Sequence, residues 1–327
     1  MHDQPFPSLP AQWQPLVDNA ANALRALALN EDAKARFCND PVLRPFMHRV
    51  AQRYVAGQSI ESVVQRVLDI NRRGHAASAE YIGESLHDEG KVNAETQVFI
   101  ALIDALKAQK LNCSISLDLS HIGSLIDPEL GYRNADRIAA VAAEAGREVM
   151  ISMEAADRAD TIYAIYERLH REAGRANVGI TMSARLHRSS RDLPRLLACP
   201  GRIRLVKGAF LESETVAYPR DSPELAACYR QFATELLTSG HSCSIATHDR
   251  SIHKDLTTLI EQQRIEPRHY EFESLIGLGT EQIDELQRRG FPTREYAIFG
   301  EDYFLYVLNR IAEEPTRVYQ AIIDLMA

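Results

Sequence analysis

Cysteine is scarce in this chain and is never clustered. The 327 residues include five cysteines, an odd number, and no two of them form a CxxC pair. Disulfide frameworks and structural zinc sites depend on paired or closely spaced cysteines. The sequence therefore predicts neither a disulfide-stapled secreted fold nor a zinc module, and it favours a reducing, cytoplasmic location. The five are Cys38, Cys113, Cys199, Cys228 and Cys243.

Long apolar runs and an excess of basic residues are also missing. No stretch reaches the roughly 18 apolar residues that a bilayer-spanning helix requires. The start, MHDQPFPSLPAQWQPL, lacks the basic and apolar regions of a secretion signal. The net charge is −8, from 37 Lys and Arg against 45 Asp and Glu. We therefore predict no transmembrane segment and no nucleic-acid partner, with peripheral membrane attachment as the alternative to a purely cytoplasmic protein.

Motifs that anchor nucleotides or nucleophiles in open α/β sheets are absent as well. The sequence contains no GxGxxG, no GxxxxGK[ST] and no GxSxG, which weakens the dinucleotide, P-loop and hydrolase alternatives. Residue types leave one mixed metal site open, formed by His248 and Asp249 with Asp118 or Glu271. Our prediction is that the protein has no metal centre.

The N-terminal part of the chain reads as helices. Between residues 11 and 70, apolar residues recur at three- and four-residue spacing, as in PLVDNAANALRALALNEDAKARF and IESVVQRVLDINRRG. The segment NDPVLRPF interrupts this pattern with prolines. We predict an N-terminal helical segment over residues 1–72 and a second unit over residues 73–327.

From about residue 75, short apolar runs alternate with amphipathic helices. Eight such units predict a parallel sheet, and the count favours a closed (βα)8 TIM-type barrel over an open sheet. In such a barrel the site lies at the carboxyl ends of the strands. The predicted strands span residues 75–82, 113–119, 148–153, 177–182, 202–207, 241–247, 269–274 and 294–299.

Polar and ionisable residues stand where these strands end. The fifth strand, RIRLVK, carries Arg204 and Lys207 and is followed by Gly208. Two cations with a glycine beside them suit an anionic or electron-rich cofactor that approaches the backbone closely. The other strand ends supply Asp118, Ser152, Ser183, Thr247, His248, Glu271, Glu273 and Tyr296.

Four segments in a fixed order resemble one family. RLVKGAFLESE resembles the fifth-strand motif RLVKGAY of the proline dehydrogenases, flavoenzymes of the proline-utilisation type, and IATHD resembles their ATHN segment. YEFESLIGLG is similar to YEFQxLxG, and REYAIFGEDYFLYVLNRIAE is similar to the closing YxPYGxxxxxYxxRRxxE. EYIGE and EAADRADTIY are weaker matches. The likeness covers roughly residues 40–315 and implies a (βα)8 barrel, non-covalent FAD and a last helix over the carboxyl face.

The resemblance also implies roles for single residues. It places Arg204 by the flavin N5 region, Lys207 by the ring edge and pyrophosphate, and Glu313 at the ribose. With Asp118, Arg204 and Lys207 form the predicted catalytic set. The predicted cofactor-binding residues are Ser183, Arg204, Val206, Lys207, Gly208, Ala209, Thr247, His248, Asp249, Glu273 and Glu313. The predicted substrate-binding residues are Asp118, Ser152, Arg185, Leu275, Tyr296, Tyr306, Asn309 and Arg310.

This sequence departs from the family pattern chiefly at the substrate. Asp118 stands where the family has a Lys that helps to hold the substrate carboxylate, and Asn309 replaces one of two arginines. Ser152 replaces an Asp, Arg185 a Tyr, and Glu273 a Gln. A carboxylate near Asp118 would be repelled by about 4 kcal/mol at 4 Å and an effective dielectric of about 20.

The function predicted from these residues is FAD-dependent oxidation of an amine or amino-acid-like substrate by hydride transfer to flavin N5. A proline derivative, another cyclic or secondary amine and a hydrazine-like compound are the candidate substrates. Electrons would pass to a quinone, to oxygen or to another acceptor. Three alternatives remain open: ordinary L-proline dehydrogenation to pyrroline-5-carboxylate, a flavin-binding accessory protein without proline activity, and a metal-dependent barrel hydrolase or lyase.

Overall fold

Four helices precede the first strand in the computed structural model, which describes residues 10–83, 85–220 and 222–326. The predicted helix over residues 15–37 is divided at Asn30, whose side chain accepts a hydrogen bond from the amide of Ala33 and starts a new helix. Ser59 and Ser62 form a reciprocal capping box at the start of the fourth helix. The helices are α1 (Gln14–Ala28), α2 (Glu31–Asn39), α3 (Leu43–Tyr54) and α4 (Ile60–Arg72).

Eight parallel strands in the described residues close into a barrel in sequence order, with β8 paired to β1. This confirms the predicted fold class. The third strand is shorter than predicted: it ends at Ile151, although the Ser152 amide still donates to the carbonyl of Leu117. The strands are β1 (Ala76–Tyr81), β2 (Cys113–Leu117), β3 (Val149–Ile151), β4 (Val178–Ser183), β5 (Ile203–Val206), β6 (Cys243–Ala246), β7 (Tyr270–Leu275) and β8 (Thr293–Phe299).

Helices follow the strands around the outside of the barrel. They present apolar stripes to the sheet, as expected for alternating β and α units. The helix bounds are α5 (Glu89–Ala108), α6 (Pro128–Glu144), α7 (Ala159–Arg171), α8 (Ser189–Leu196), α9 (Pro223–Ser239), α10 (Arg250–Gln263), α11 (Thr280–Arg288), α12 (Tyr303–Glu313) and α13 (Arg317–Met326).

The apolar core lies between the strands and the helices, whereas the inside of the barrel is polar. Side chains alternate along a strand, so Ile203 and Leu205 of β5 face the helices and are fully buried in the core. Arg204 between them points inward. Interior residues of the other strands follow the same rule and include Ser116, Thr181, Ser244, Glu271, Glu273 and Arg294. The barrel therefore has a charged interior, and its apolar core lies between the strands and the surrounding helices.

The N-terminal helices pack against both the barrel and its last helices. Val63 and Val67 of α4 are fully buried in the main core. Ala28 of α1 and Met47 of α3 share a separate apolar cluster with Phe304 and Leu308 of α12. One face of helix α12 therefore packs against the N-terminal helices, and its other face lies over the carboxyl ends of the strands. The boundary between residues 72 and 73 stays a prediction.

Candidate active site

The floor of the barrel interior is an ionic layer. Nε of Arg294 donates to Glu271 at 2.8 Å, and Nη1 of Arg294 donates to Oγ of Ser114 at 3.0 Å. Oγ of Ser244 also donates to Glu271. Burial opposes the charged carboxylate, but Arg294 and then Arg202 hold the pKa of Glu271 down at about 2. This layer is a fully charged base for the site above it.

Arg204 forms the next layer. Its guanidinium donates to Thr181 Oγ1 at 3.0 Å, to Ser116 Oγ at 2.9 Å and to Ser152 Oγ at 3.2 Å. It also lies 3.4 Å from the carboxylate of Glu273, whose pKa is raised by burial against the opposing charge of the arginine. A guanidinium fixed by four partners is preorganised, so it can stabilise developing negative charge without moving.

Glu80 of β1 connects Ser152, which contacts Arg204, with Tyr296 of β8. The sequence alone did not identify Glu80 as a site residue. Its Oε2 accepts hydrogen bonds from Ser152 at 3.2 Å and from the hydroxyl of Tyr296. Burial, and then the charge of Glu80, raise the pKa of Tyr296 well above its usual value, so its hydroxyl remains a donor. The available signal was the alternation in AASAEY, which puts Ser78 and Glu80 on one face of the strand.

Leu117 of β2 pairs with Ile151 of β3 in the parallel sheet. The residues that follow them, Asp118 and Ser152, therefore lie side by side. Asp118 is half-buried, and its charge also acts on the hydroxyl of Tyr296. The structure therefore brings the predicted residues Asp118, Ser152 and Tyr296 together with Glu80. These residues form one wall of the mouth, hereafter the acidic wall (Glu80, Asp118, Ser152 and Tyr296).

The opposite side of the mouth carries the end of β5 and the start of α10. Nζ of Lys207 lies 2.9 Å from Asp249, whose carboxylate also caps α10 through the amides of Ser251 and Ile252. The adjacent His248 exposes its imidazole to solvent, yet the protein packed around it, and then Arg317 and Lys207, lower its pKa to about 4. His248 is therefore neutral at physiological pH.

Helix α12 supplies the predicted residues above the mouth. The Arg310 guanidinium lies 5.1 Å from the ring centre of Tyr306, and its Nη2 is 2.7 Å from Glu313. Arg220 and Arg317 each approach the same carboxylate at 3.8 Å. Leu275 and Tyr306 belong, with Tyr296, to one partly buried apolar group. The mouth thus combines apolar walls with a carboxylate held among three arginines.

Arg185, just after β4, donates to two backbone carbonyls. Its Nε donates to the carbonyl of Tyr218 at 2.9 Å and its Nη1 to the carbonyl of Phe210 at 2.5 Å. These contacts brace the loop after β5. Gly208 in the same loop has φ +118°, and a Cβ on it would lie 2.3 Å from Ser183 Oγ. The positive φ and this short distance both disfavour a larger residue at position 208. Substrate contact by Arg185 stays a prediction.

Comparison with known proteins identifies the family. The proline dehydrogenase family model matches residues 63–319. A proline dehydrogenase from Deinococcus radiodurans is 34% identical over 279 residues, covering 84% of this chain and 90% of the relative. Proline dehydrogenase 1 from Bacillus subtilis (strain 168) is 32% identical over 265 residues, covering 81% and 87%. The chain belongs to the proline dehydrogenase family. It is an oxidoreductase of the class that acts on a C–N bond, and its family implies a flavin cofactor.

Solved structures support the barrel. Proline utilization A from Bdellovibrio bacteriovorus, inactivated by N-propargylglycine, superposes with a TM-score of 0.79 at 18% identity over 95% of this chain. Proline utilization A from Bradyrhizobium japonicum (mutant D778Y) gives 0.70 at 17% identity. The chain spans about two fifths of the length of each, 39% and 41%. At these identities the likeness shows the fold alone.

The donors at the mouth fit the phosphates of the flavin cofactor that a proline dehydrogenase implies. Nε of Arg220 and Nε of Arg310 are buried and have no hydrogen-bond partner among the described residues. Both side chains converge on Glu313, and Lys207 adds a half-exposed ammonium group. Unpaired guanidinium donors beside an ammonium group are suited to a phosphate-bearing ligand.

Across residues 10–83, 85–220 and 222–326, no helix is both long and apolar enough to cross a bilayer. The same residues contain no group of three or more His, Cys, Asp or Glu side chains placed to hold a metal ion.

Proposed function

We propose that this protein is an FAD-dependent dehydrogenase that oxidises an amine or amino-acid-like substrate. The observation that carries the proposal is the meeting of two sets of groups at one mouth: the fixed Arg204 below it with Lys207 at its edge, and the acidic wall, which contacts Arg204 through Ser152. Cations at that position suit a flavin that becomes more negative as it is reduced. Carboxylates suit a substrate nitrogen that must lose a proton.

The residues assigned to FAD follow from this arrangement. Arg204 and Glu273 lie below the mouth, and Lys207, Thr247 and Glu313 lie around it. Arg220 and Arg310 are the donors we assign to its phosphates. The remaining predicted contacts are Ser183, Val206, Gly208, Ala209, His248 and Asp249. We propose that the binding is non-covalent.

The mechanism assigns each remaining group a task. When bound, the flavin supplies the acceptor for the hydride that leaves the substrate carbon next to nitrogen. Asp118 takes the proton from the nitrogen, and the lone pair left there forms the C=N bond as the C–H bond breaks. Glu80 fixes the hydroxyl of Tyr296 beside the substrate. The apolar side chains of Leu275 and Tyr306 exclude water from the reacting carbon.

L-Proline is the second candidate substrate. Relatives named proline dehydrogenase at up to 34% identity favour it, and Arg310 remains as a cation on α12. Oxidation of proline by the same steps gives pyrroline-5-carboxylate. Asp118 and Asn309, which replace cations of the family pattern, favour the broader amine class.

Anaerobic flavin reduction tests the proposal. The purified protein should be yellow, and at least one secondary amine, hydrazine or L-proline should bleach its visible flavin band. The product should be the corresponding imine or its hydrolysis product. A yellow protein that no member of the panel reduces supports an accessory flavin-binding role, and a colourless protein with stoichiometric metal overturns the flavin assignment. Oxygen and a soluble quinone, added afterwards, identify the electron acceptor.

The cellular location and the division of the chain into two segments are also proposed. We place the protein in the cytoplasm, with peripheral membrane attachment as the alternative. We propose residues 1–72 as the N-terminal helical segment and residues 73–327 as the flavin-binding barrel; residues 1–9 lie outside the described part of the chain.

Replacing Lys207 with Met should weaken FAD binding by about tenfold to a hundredfold, because one charge-assisted contact is worth roughly 1.5–3 kcal/mol. Flavin fluorescence during titration of the apoprotein measures the dissociation constant. The matched control is Lys107→Met, at an exposed position in the last turn of α5, which should leave the constant unchanged. Equal affinities for both variants would remove Lys207 from the cofactor site.

A further inference from the structure

We infer that this site takes an amine that binds as a cation without a carboxylate next to its nitrogen, in preference to a zwitterionic amino acid. The inference rests on the proposed flavin-dependent amine oxidation and narrows its substrate class. It follows from how the charged side chains at the mouth are already paired.

The acidic wall gives the ligand two carboxylates. Glu80 accepts hydrogen bonds from the hydroxyls of Ser152 and Tyr296, and its charge acts on Arg204, a cation that is already paired with Glu273. Asp118 lies next to Ser152 by strand register and is half-buried at the mouth. A cationic nitrogen placed between these carboxylates gains attraction from both.

Three of the cations at the mouth face acidic partners of their own, and Arg220 and Arg317 share Glu313 with one of them, Arg310. Arg204 lies 3.4 Å from Glu273, Lys207 lies 2.9 Å from Asp249, and Arg310 lies 2.7 Å from Glu313. A substrate carboxylate would have to compete with these pairs, and it would enter beside Glu80 and Asp118. We assign the donors around Glu313 to the FAD phosphates, so an anionic substrate beside the acidic wall meets more repulsion than compensation.

The rest of the mouth suits a hydrocarbon ring carrying one positive charge. Leu275, Tyr296 and Tyr306 give it aliphatic and aromatic surface. Aromatic faces attract ammonium groups, as the Arg204 and Arg310 guanidinium groups near Tyr296 and Tyr306 illustrate at 5.0 and 5.1 Å. A small cyclic secondary amine has the required size and charge.

Oxidation of the amine does not require a carboxylate group on the substrate. The protonated amine would give one proton to Asp118, and FAD, bound as proposed, would accept the hydride from the carbon next to the nitrogen. A C=N bond forms in the product, a cyclic iminium ion, which carries the positive charge that the acidic wall stabilises.

Paired ligands of one ring size test the inference. Pyrrolidine and L-proline differ by the carboxylate alone, and L-prolinamide keeps the substituent without its charge. In anaerobic titrations of the holoenzyme, we expect pyrrolidine and L-prolinamide to show at least about tenfold lower dissociation constants than L-proline, or faster flavin reduction by the same factor. Reduction of the flavin by L-proline with equal or better efficiency overturns the inference and leaves the proposed function standing.

A binding measurement keeps the question decidable when no amine reduces the flavin, a result that would count against the proposed function itself. Calorimetry at neutral pH compares pyrrolidine, a cation, with cyclopentanecarboxylate, an anion of similar shape. Tighter binding of the cation by about tenfold supports the inference, and tighter binding of the anion overturns it.

Substitutions locate the preference. Asp118→Asn keeps the side-chain shape and should cut the cation preference by about tenfold, and Asp118→Lys should reverse it. Asp104→Asn, at an exposed position of α5, is the matched control and should leave the preference unchanged. An unchanged preference in both Asp118 variants assigns the selectivity to another part of the mouth and overturns the role of the acidic wall.

Discussion

Replacing Arg204 with Met is expected to abolish flavin reduction and to destabilise the protein. The guanidinium is 5% exposed and bonds to Thr181, Ser116 and Ser152 beside the Glu273 carboxylate. Removing one partner of a buried ion pair costs about 3–5 kcal/mol of unfolding free energy, because the other charge stays buried. Loss of a fixed cation at the reacting centre slows the chemical step by about a hundredfold or more.

Two further variants separate the causes. Glu273→Gln, which restores the residue of the family pattern, removes the opposing charge, so the double variant with Arg204→Met should regain part of the lost stability. Arg289→Met breaks an exposed pair with Glu261 at 2.9 Å and should change stability by less than about 1 kcal/mol. Urea unfolding and stopped-flow flavin reduction measure both effects. Wild-type stability and reduction rate in Arg204→Met would show that this cation is dispensable.

Acid should weaken the barrel through Glu271. Its pKa is about 2 in the folded protein and about 4.3 in an unfolded chain. A lowered carboxyl pKa gives stability that is fully present above the unfolded value and is lost as pH falls from about 4.3 towards 2. Because the side chain is buried and paired with Arg294, this difference corresponds to about 3 kcal/mol. The unfolding free energy should fall by roughly that amount from this residue alone.

Glu271→Gln tests this contribution directly. The variant leaves Arg294 buried without its carboxylate and should be less stable than the wild type at neutral pH by about 3–5 kcal/mol. Since protonation also removes the carboxylate charge in the wild type, the gap between the two proteins should close as pH falls below about 4.3. Glu261→Gln, in the exposed pair with Arg289, should show no such convergence. A constant gap across this pH range would contradict the assigned pKa.

The strands were predictable because their outer faces are apolar and recur at regular spacing. Ile203 and Leu205 mark β5 regardless of what lies between them. The contacts inside the barrel were harder to predict from the sequence, because they depend on the register between strands that are distant in sequence. Thr181 pairs with Arg204 and Ser116 pairs with Glu80, contacts that no local pattern in either strand reveals. Helix division at Asn30 depends on a single side-chain cap.

The candidate site divides in the same way. Motif residues such as Lys207 and Tyr296 were found because they lie in contiguous segments. Glu80 was missed because the first strand matches its motif weakly and its importance comes from cross-barrel contacts with Ser152 and Tyr296. Arg185 was assigned to the substrate from its place in the family pattern, and only the folded chain shows that its Nε and Nη1 donate to the carbonyls of Tyr218 and Phe210.

Helix α12 packs against the N-terminal helices on one face and faces the mouth on the other. The N-terminal helices can therefore affect the position of the α12 side chains at the mouth. Phe304 and Leu308 face Ala28 and Met47, while Tyr306 and Arg310, on the same helix, face the mouth. We therefore expect a change of side-chain volume at Ala28 or Met47 to shift α12 relative to the mouth. Such a substitution should alter the substrate range although neither residue belongs to the mouth.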